Sequence, residues 1–192
     1  MNALTFNVPL TLTCIRLLLS PLFLPFLLVY YVPLHSPFCN ALLGIFFIFL
    51  SLTDFFDGYL ARKYAQTTAL GRLLDPIADK FLLFSALIPL VYIHKIYFYW
   101  ALLFIGREFF IMALREVAQA HGFSLSVSYK AKLKTFFQMA YLTWVIINPY
   151  PLGMFVLYTT IEYFLLTGAL FFSLYSAADY YFSFFKQIKE TP

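Results

Sequence analysis

The chain contains six apolar runs, each close to the length that crosses a lipid bilayer. A spanning helix needs about 20 apolar residues, and inside lipid its backbone groups must be paired within the segment. Since 62% of the residues are hydrophobic and 11% are charged, no soluble core could enclose them. We therefore predict an all-α integral membrane bundle of six transmembrane helices, forming a single domain over residues 1–192. The runs cover residues 9–31, 37–60, 73–93, 97–118, 133–147 and 152–182.

Two of these runs have unusual lengths. The fifth run reaches full length only if its helix begins near Lys130. The sixth run is long, and we expect it to continue past the membrane as an amphipathic tail. Within the sixth run, Ala169, Ser173 and Ala177 recur at four-residue spacing. Small residues so spaced let membrane helices approach closely, which predicts a packing face within or between subunits. Chance is the alternative explanation.

Basic residues in the connecting loops indicate the orientation. Loops on the cytoplasmic side of a membrane protein carry an excess of Lys and Arg. On one side of the predicted bundle the only basic loop residue is Lys95, whereas the other side carries Arg62, Lys63, Arg72, Arg115, Lys130, Lys132, Lys134, Lys186 and Lys189. We therefore expect an inner-membrane protein with both termini in the cytoplasm. The net charge of +4 forms no basic stripe, so we expect no nucleic-acid partner.

Four aspartates lie where the second and third apolar runs meet: Asp54, Asp57, Asp75 and Asp79. Asp75 and Asp79 are one helical turn apart, and a short loop makes the two helices antiparallel neighbours. Oxygen-only ligands favour hard divalent cations, and two metal ions would suit a phosphoryl displacement. The alternative is that these acids are solvated or paired with nearby Arg and Lys. Four acids on two converging faces favour a metal site.

The same segment carries a recognisable pattern. Asp54-x-x-Asp57-Gly58-x-x-Ala61-Arg62, eight residues, then Gly71-x-x-x-Asp75-x-x-x-Asp79 resembles the signature of the CDP-alcohol phosphatidyltransferases. The resemblance implies metal-dependent transfer of a phosphatidyl group from a CDP-lipid to an alcohol, with release of CMP. It implies that the four aspartates bind two Mg²⁺ or Mn²⁺ ions and that Asp79 is the catalytic base. It assigns the CDP-lipid site to Asp54, Gly58, Ala61, Arg62, Gly71 and Asp75.

Four cations suggest how the acceptor is recognised. Arg107 lies about halfway through the fourth run, where an ionisable residue is a functional hypothesis by default. Arg115, Lys132 and Lys134 lie nearer the cytoplasm. Cations beside the predicted metal site would suit an acceptor that itself carries a phosphate. Two alternatives remain: the arginines pair with neighbouring glutamates, and the lysines anchor the helix at the headgroups.

Further segments sharpen the resemblance. Arg107-Glu108, Leu114-Arg115-Glu116 and Lys132-x-Lys134-Thr135-x-x-Gln138 resemble segments of the bacterial phosphatidylglycerophosphate synthases. This implies a homodimer that transfers phosphatidyl from CDP-diacylglycerol to sn-glycerol 3-phosphate. Leu10 departs from that pattern, which commonly has a small polar residue there.

The sequence leaves open two competing functions and the role of one further charged residue, Arg16. Another enzyme of the same family, of the cardiolipin or phosphatidylserine synthase type, would need fewer acceptor cations. A divalent-cation transporter would place its acids near the bilayer midplane, within broken helices. Arg16 lies about 10 Å into the first run. It either reaches the acidic segment, where we favour a structural ion pair, or extends to the headgroups.

Overall fold

The computed structural model describes the backbone of residues 8–63, 69–123, 129–147 and 155–190. It describes side chains for residues 11, 13–53, 74, 77–123, 129–147 and 155–188. All regular structure in these residues is helical, which confirms the all-α prediction. The helices are α1 (Val8–Leu22), α2 (Leu24–Tyr31), a 3₁₀ turn (Val32–Leu34), α3 (Pro37–Lys63), α4 (Ala69–Tyr92), α5 (Phe98–Ala120), α6 (Tyr129–Ile147) and α7 (Phe155–Glu190).

The first apolar run forms two helices, α1 and α2, rather than the single helix predicted. The interruption falls at Phe23, although its backbone keeps a right-handed helical conformation (φ −97°, ψ −43°). Phe23 N–H still donates to the Leu19 carbonyl at 3.0 Å. Pro25 has no N–H and cannot donate to the carbonyl four residues earlier, on Pro21. The defect in the helix therefore follows from the proline pair.

The remaining predicted helices are present with shifted ends. Helix α6 begins at Tyr129, so the fifth run reaches the length that the sequence left in question. Helix α7 has 36 residues and continues to Glu190, as expected of a helix extending beyond its apolar run. Among the described residues, two helical segments, Thr13–Leu34 and Phe155–Ile188, are long and apolar enough to cross a membrane, and both are mostly exposed on the chain itself. The count of six spans and the placement of the termini stay predictions.

The structure divides into two compact units, of which the first comprises Met1–Ile96 and Val145–Pro149. Within it, α1 packs on α3 and α4, and α2 packs mainly on α4. Leucines form much of its core, with Leu24, Leu28, Leu87 and Leu90 fully buried. This packing fixes the position of α4, which carries Asp79.

The second unit comprises Tyr97–Trp144 and Tyr150–Pro192, and so contains α5, α7 and most of α6. Trp144, late in α6, stacks on Tyr158, early in α7, at 5.4 Å between ring centroids. Phe137, earlier in α6, stacks on Phe172, later in α7, at 5.2 Å. Helices α6 and α7 are therefore antiparallel. They approach closely at Gly168, where an added Cβ would lie 2.7 Å from the Phe137 ring.

Candidate active site

The acidic segment occupies the end of α3 and the first half of α4. Helix α3 carries Asp54, Asp57, Gly58, Ala61 and Arg62 within its last ten residues. Helix α4 carries Gly71, Asp75 and Asp79. Of these eight residues, only Asp79 has a side chain within the described part of the structure. The predicted convergence of the four aspartates lies outside the described residues.

Asp79 is the described member of the predicted metal-binding set. Its side chain is 54% exposed, and Oδ1 lies 3.7 Å from an Nη atom of Arg16 on α1. Arg16 is only 1% exposed, and its backbone carbonyl also accepts a hydrogen bond from the Ser20 hydroxyl at 2.7 Å. The ion pair expected for Arg16 is therefore present. The guanidinium is enclosed by the helices, whereas the carboxylate is open to a ligand.

The second unit encloses two of the four predicted acceptor cations around one carboxylate. Glu108 on α5 is 14% exposed, and Arg107 and Lys134 are each 8% exposed. The Glu108 Oε1 atom accepts from the Arg107 Nη1 group at 3.2 Å and also binds the Lys134 ammonium on α6. Pairing of Arg107 with Glu108 was one of the alternatives left open by the sequence, and it is present.

Arg107 is also fixed by α7. Its Nε donates to the Ser173 carbonyl at 3.4 Å, and its Nη2 donates to the Ser176 hydroxyl at 2.7 Å. Ser176 is fully buried, and its hydroxyl donates in turn to the Ser173 carbonyl at 3.1 Å. Ser173 belongs to the predicted small-residue face, together with Ala169, which is also fully buried. That face therefore packs within the chain and receives a buried arginine.

Arg115 lies eight residues further along α5 and meets α7 at Tyr180. Its Nη2 donates to the Tyr180 hydroxyl at 2.7 Å, and its guanidinium lies 5.0 Å from the centre of the same ring. Its Nε is buried and has no hydrogen-bond partner. Since Arg107 meets residues 173 and 176 while Arg115 meets residue 180, α5 and α7 run parallel. A buried donor without a partner is costly, and a hydrogen-bond acceptor that reached the Arg115 Nε would remove that cost.

The start of α6 adds further positive charge. Lys132 is exposed. Lys130 binds the Asp179 carboxylate at 3.0 Å and lies 4.2 Å from the centre of the Tyr175 ring. The neighbouring Tyr175 side chain and the Asp179 carboxylate raise the pKa of Lys130 above its ordinary value. The two lysines at the start of α6 therefore differ in their surroundings: Lys130 is paired with an acid, whereas Lys132 is exposed.

The sequence did not point to two residues of this cluster or to one of its contacts. It gave no role to Ser176 or Tyr180, and it did not connect Glu108 with Lys134. The four-residue spacing of small residues on α7 pointed to the helix face that receives Arg107. Nothing in the sequence marks Tyr180, because one of 15 tyrosines in an apolar chain carries no distinguishing signal.

Comparison with known proteins assigns the chain to a family. The model of the CDP-alcohol phosphatidyltransferase family matches residues 6–175. The chain belongs to the CDP-alcohol phosphatidyltransferase family. Among these phosphatidyltransferases it is similar to a protein of Rickettsia bellii, 41% identical over 133 residues, covering 69% of this chain and 71% of the relative. It is also similar to a protein of Escherichia coli K12, 41% identical over 152 residues, covering 75% and 79%. Both relatives bear the name CDP-diacylglycerol–glycerol-3-phosphate 3-phosphatidyltransferase.

Proposed function

We propose that this phosphatidyltransferase moves the phosphatidyl group from CDP-diacylglycerol to sn-glycerol 3-phosphate, giving phosphatidylglycerophosphate and CMP. Membership of the family supports the reaction class. The names of the relatives at 41% identity support the donor and the acceptor. The structural observation that carries the acceptor is the cationic cluster of α5 and α6, in which Arg115 keeps a buried, unpartnered N–H.

The donor site is assigned to the acidic segment. Asp54, Asp57, Asp75 and Asp79 would hold two Mg²⁺ or Mn²⁺ ions, since carboxylate oxygens are the ligands these hard cations prefer. The half-exposed carboxylate of Asp79 fits that donor set. When bound, the metals would neutralise the diphosphate and the charge that develops on the departing CMP. The CDP-lipid site would be lined by Asp54, Gly58, Ala61, Arg62, Gly71 and Asp75.

Asp79 is proposed as the base for the attacking hydroxyl. The hydroxyl of glycerol 3-phosphate attacks the lipid-bearing phosphorus, its proton passes to the Asp79 carboxylate, and the bond from that phosphorus to CMP breaks. Such a base has to be reachable by substrate, and the exposure of Asp79 satisfies this requirement. Arg16, which is buried beside it, would keep the carboxylate oriented.

The acceptor phosphate is assigned to the positive charge of Arg107, Arg115, Lys132 and Lys134. The buried Nε of Arg115 has no hydrogen-bond partner, and Lys132 is exposed to the solvent. A doubly charged phosphate suits such a cluster better than a neutral alcohol or a singly charged phosphodiester lipid does, because each charge-assisted hydrogen bond to it is strong. This is the reason for favouring glycerol 3-phosphate over the acceptors of the cardiolipin and phosphatidylserine synthase types.

The proposed setting is the inner membrane, with the active site facing the cytoplasm. Six spans, cytoplasmic termini, a single domain and a homodimer complete the proposal. The two long apolar helices and the excess of basic loop residues on one side support this orientation. CDP-diacylglycerol would then enter from the inner leaflet, and CMP would leave to the cytoplasm.

The test is an assay of purified protein with CDP-diacylglycerol and a panel of alcohols, with and without EDTA. We expect CMP release with glycerol 3-phosphate alone, its loss in EDTA and its return on addition of Mg²⁺ or Mn²⁺. Turnover with phosphatidylglycerol or serine instead would move the protein to another branch of the family. Cation flux in liposomes without CDP-lipid would favour a transporter.

A further inference from the structure

The carboxylate of Glu108 is shared by two cations from different helices. Its Oε1 atom accepts from Arg107 on the same helix and binds the Lys134 ammonium on α6. All three side chains are at least 86% buried. Counted by themselves, these three side chains carry two positive charges and one negative. The group can therefore still attract an anion, although its members are held by one another.

Arg107 is too fully engaged to be the main contact for a substrate. Three of its N–H groups, one on each nitrogen, donate to Glu108, to the Ser173 carbonyl and to the Ser176 hydroxyl. Arginine carries five N–H groups, so most of its hydrogen-bonding capacity is used within the protein. These contacts fix the guanidinium against α7, and the guanidinium in turn fixes the Glu108 carboxylate.

Lys134 depends on that carboxylate for its position. A lysine ammonium is compact and strongly hydrated, and its flexible stem can turn towards water. Holding it at 8% exposure without a counter-ion would be costly, since an unpaired buried charge is strongly unfavourable. Removal of the negative charge on Glu108 would therefore weaken the hold on Lys134 beside α5.

We infer that Glu108 is a positioning residue for the acceptor site: it holds the Lys134 ammonium where the acceptor phosphate binds, and Arg107 braces it from α7. This inference rests on the proposed function. It divides the four cations into two kinds. Arg107 acts through Glu108, whereas Lys134, Arg115 and Lys132 are the groups that meet the phosphate.

The test is the kinetics of Glu108→Gln, with glycerol 3-phosphate and CDP-diacylglycerol varied separately. We expect the KM for glycerol 3-phosphate to rise about tenfold, the value of one charge-assisted hydrogen bond, with kcat and the KM for CDP-diacylglycerol nearly unchanged. Glu116→Gln is the matched control, because Glu116 is an exposed carboxylate on the same helix. It should leave all three parameters unchanged.

A double-variant cycle separates positioning from a general structural role. If Glu108 acts through Lys134, then Glu108→Gln has little further effect on the acceptor KM in a Lys134→Gln background. Additive effects would overturn the inference. So would an acceptor KM that stays constant or falls in Glu108→Gln, since Glu108 would then only mask the charge of Lys134. An equal change in all three parameters would indicate a structural role and would also overturn it.

Glu108→Asp keeps the test open if Glu108→Gln does not fold. It retains the charge but shortens the side chain by one methylene, so the acceptor KM should rise by a smaller factor while kcat stays constant. A Glu108→Asp enzyme with wild-type acceptor KM would contradict the inference. Failure of the proposed function looks different, because the wild-type protein would then form no phosphatidylglycerophosphate at all.

Discussion

Two ion-paired carboxylates, one in each compact unit, are held in opposite ways. In the first unit Arg16 is enclosed at 1% exposure, and its partner Asp79 is 54% exposed at 3.7 Å. In the second unit Glu108 is 14% exposed, and both of its cations are 8% exposed. An open carboxylate can exchange its partner for a ligand, whereas an enclosed one serves as a fixed point. The comparison predicts chemistry at Asp79 and positioning at Glu108.

The largest expected effect that follows from this comparison is that of Asp79→Asn. Loss of a general base should lower kcat by about 10²- to 10⁴-fold while CDP-diacylglycerol binding persists. Single-turnover kinetics and CDP-lipid binding to the purified variant measure the two effects separately. Asp179→Asn is the control, since Asp179 pairs with Lys130 outside the proposed donor site. Equal losses of turnover and binding in Asp79→Asn would indicate a metal-binding or structural role instead.

The enclosure of the second unit should depend on the close approach at Gly168. An added Cβ would lie 2.7 Å from the Phe137 ring, which is stacked on Phe172 and has little room to move. Gly168→Ala should therefore destabilise the protein by about 1–3 kcal/mol, the usual cost of overpacking. Thermal unfolding in detergent measures this. Gly106→Ala is the control, because a Cβ at Gly106 meets nothing within 4 Å. Equal stability of the two variants would contradict this explanation.

A smaller effect is expected from Arg16→Met. This substitution removes the cation that pairs with Asp79 and leaves an apolar side chain in the buried position of Arg16. Because the Asp79 carboxylate is more than half exposed, water screens the pair, and its strength should not exceed about 1 kcal/mol. We expect kcat to fall by less than about fivefold. Steady-state rates at saturating substrates test this. A fall in kcat as large as that of Asp79→Asn would show that the ion pair between Arg16 and Asp79 is as essential as the base itself.

The smallest effect is expected at Ser176, which supports Arg107 from α7. Ser176→Ala removes one acceptor and leaves the contacts of Arg107 with Glu108 and the Ser173 carbonyl. Only part of the roughly 1 kcal/mol of one hydrogen bond should reach Lys134, so the acceptor KM should rise about two- to threefold. Thr167→Val is the control, since the Thr167 hydroxyl bonds only to carbonyls of its own helix among its described contacts. If the acceptor KM of Ser176→Ala equals that of the wild type, the Ser176 hydroxyl does not help to position Arg107.

The sequence predicted the helices well, because the length of an apolar run can be read directly from consecutive residues. It missed the break at Phe23, where the proline pair interrupts the hydrogen bonding of an otherwise apolar run. The acidic motif was recognisable because all of its residues lie close together in the sequence, on two consecutive helices. The cluster around Glu108 was only partly predictable. Its bonds cross from α5 to α6 and α7, and they depend on how each helix is rotated about its axis.

The parallel contact of α5 with α7 has a mechanical consequence. Arg107 is fixed at Ser173 and Ser176, and Arg115 is fixed at Tyr180. A slip of one helix past the other by a single turn, about 5.4 Å, would break every one of these bonds at once. The two helices therefore resist sliding along one another. We therefore expect α5 and α7 to move, if they move at all, as one body.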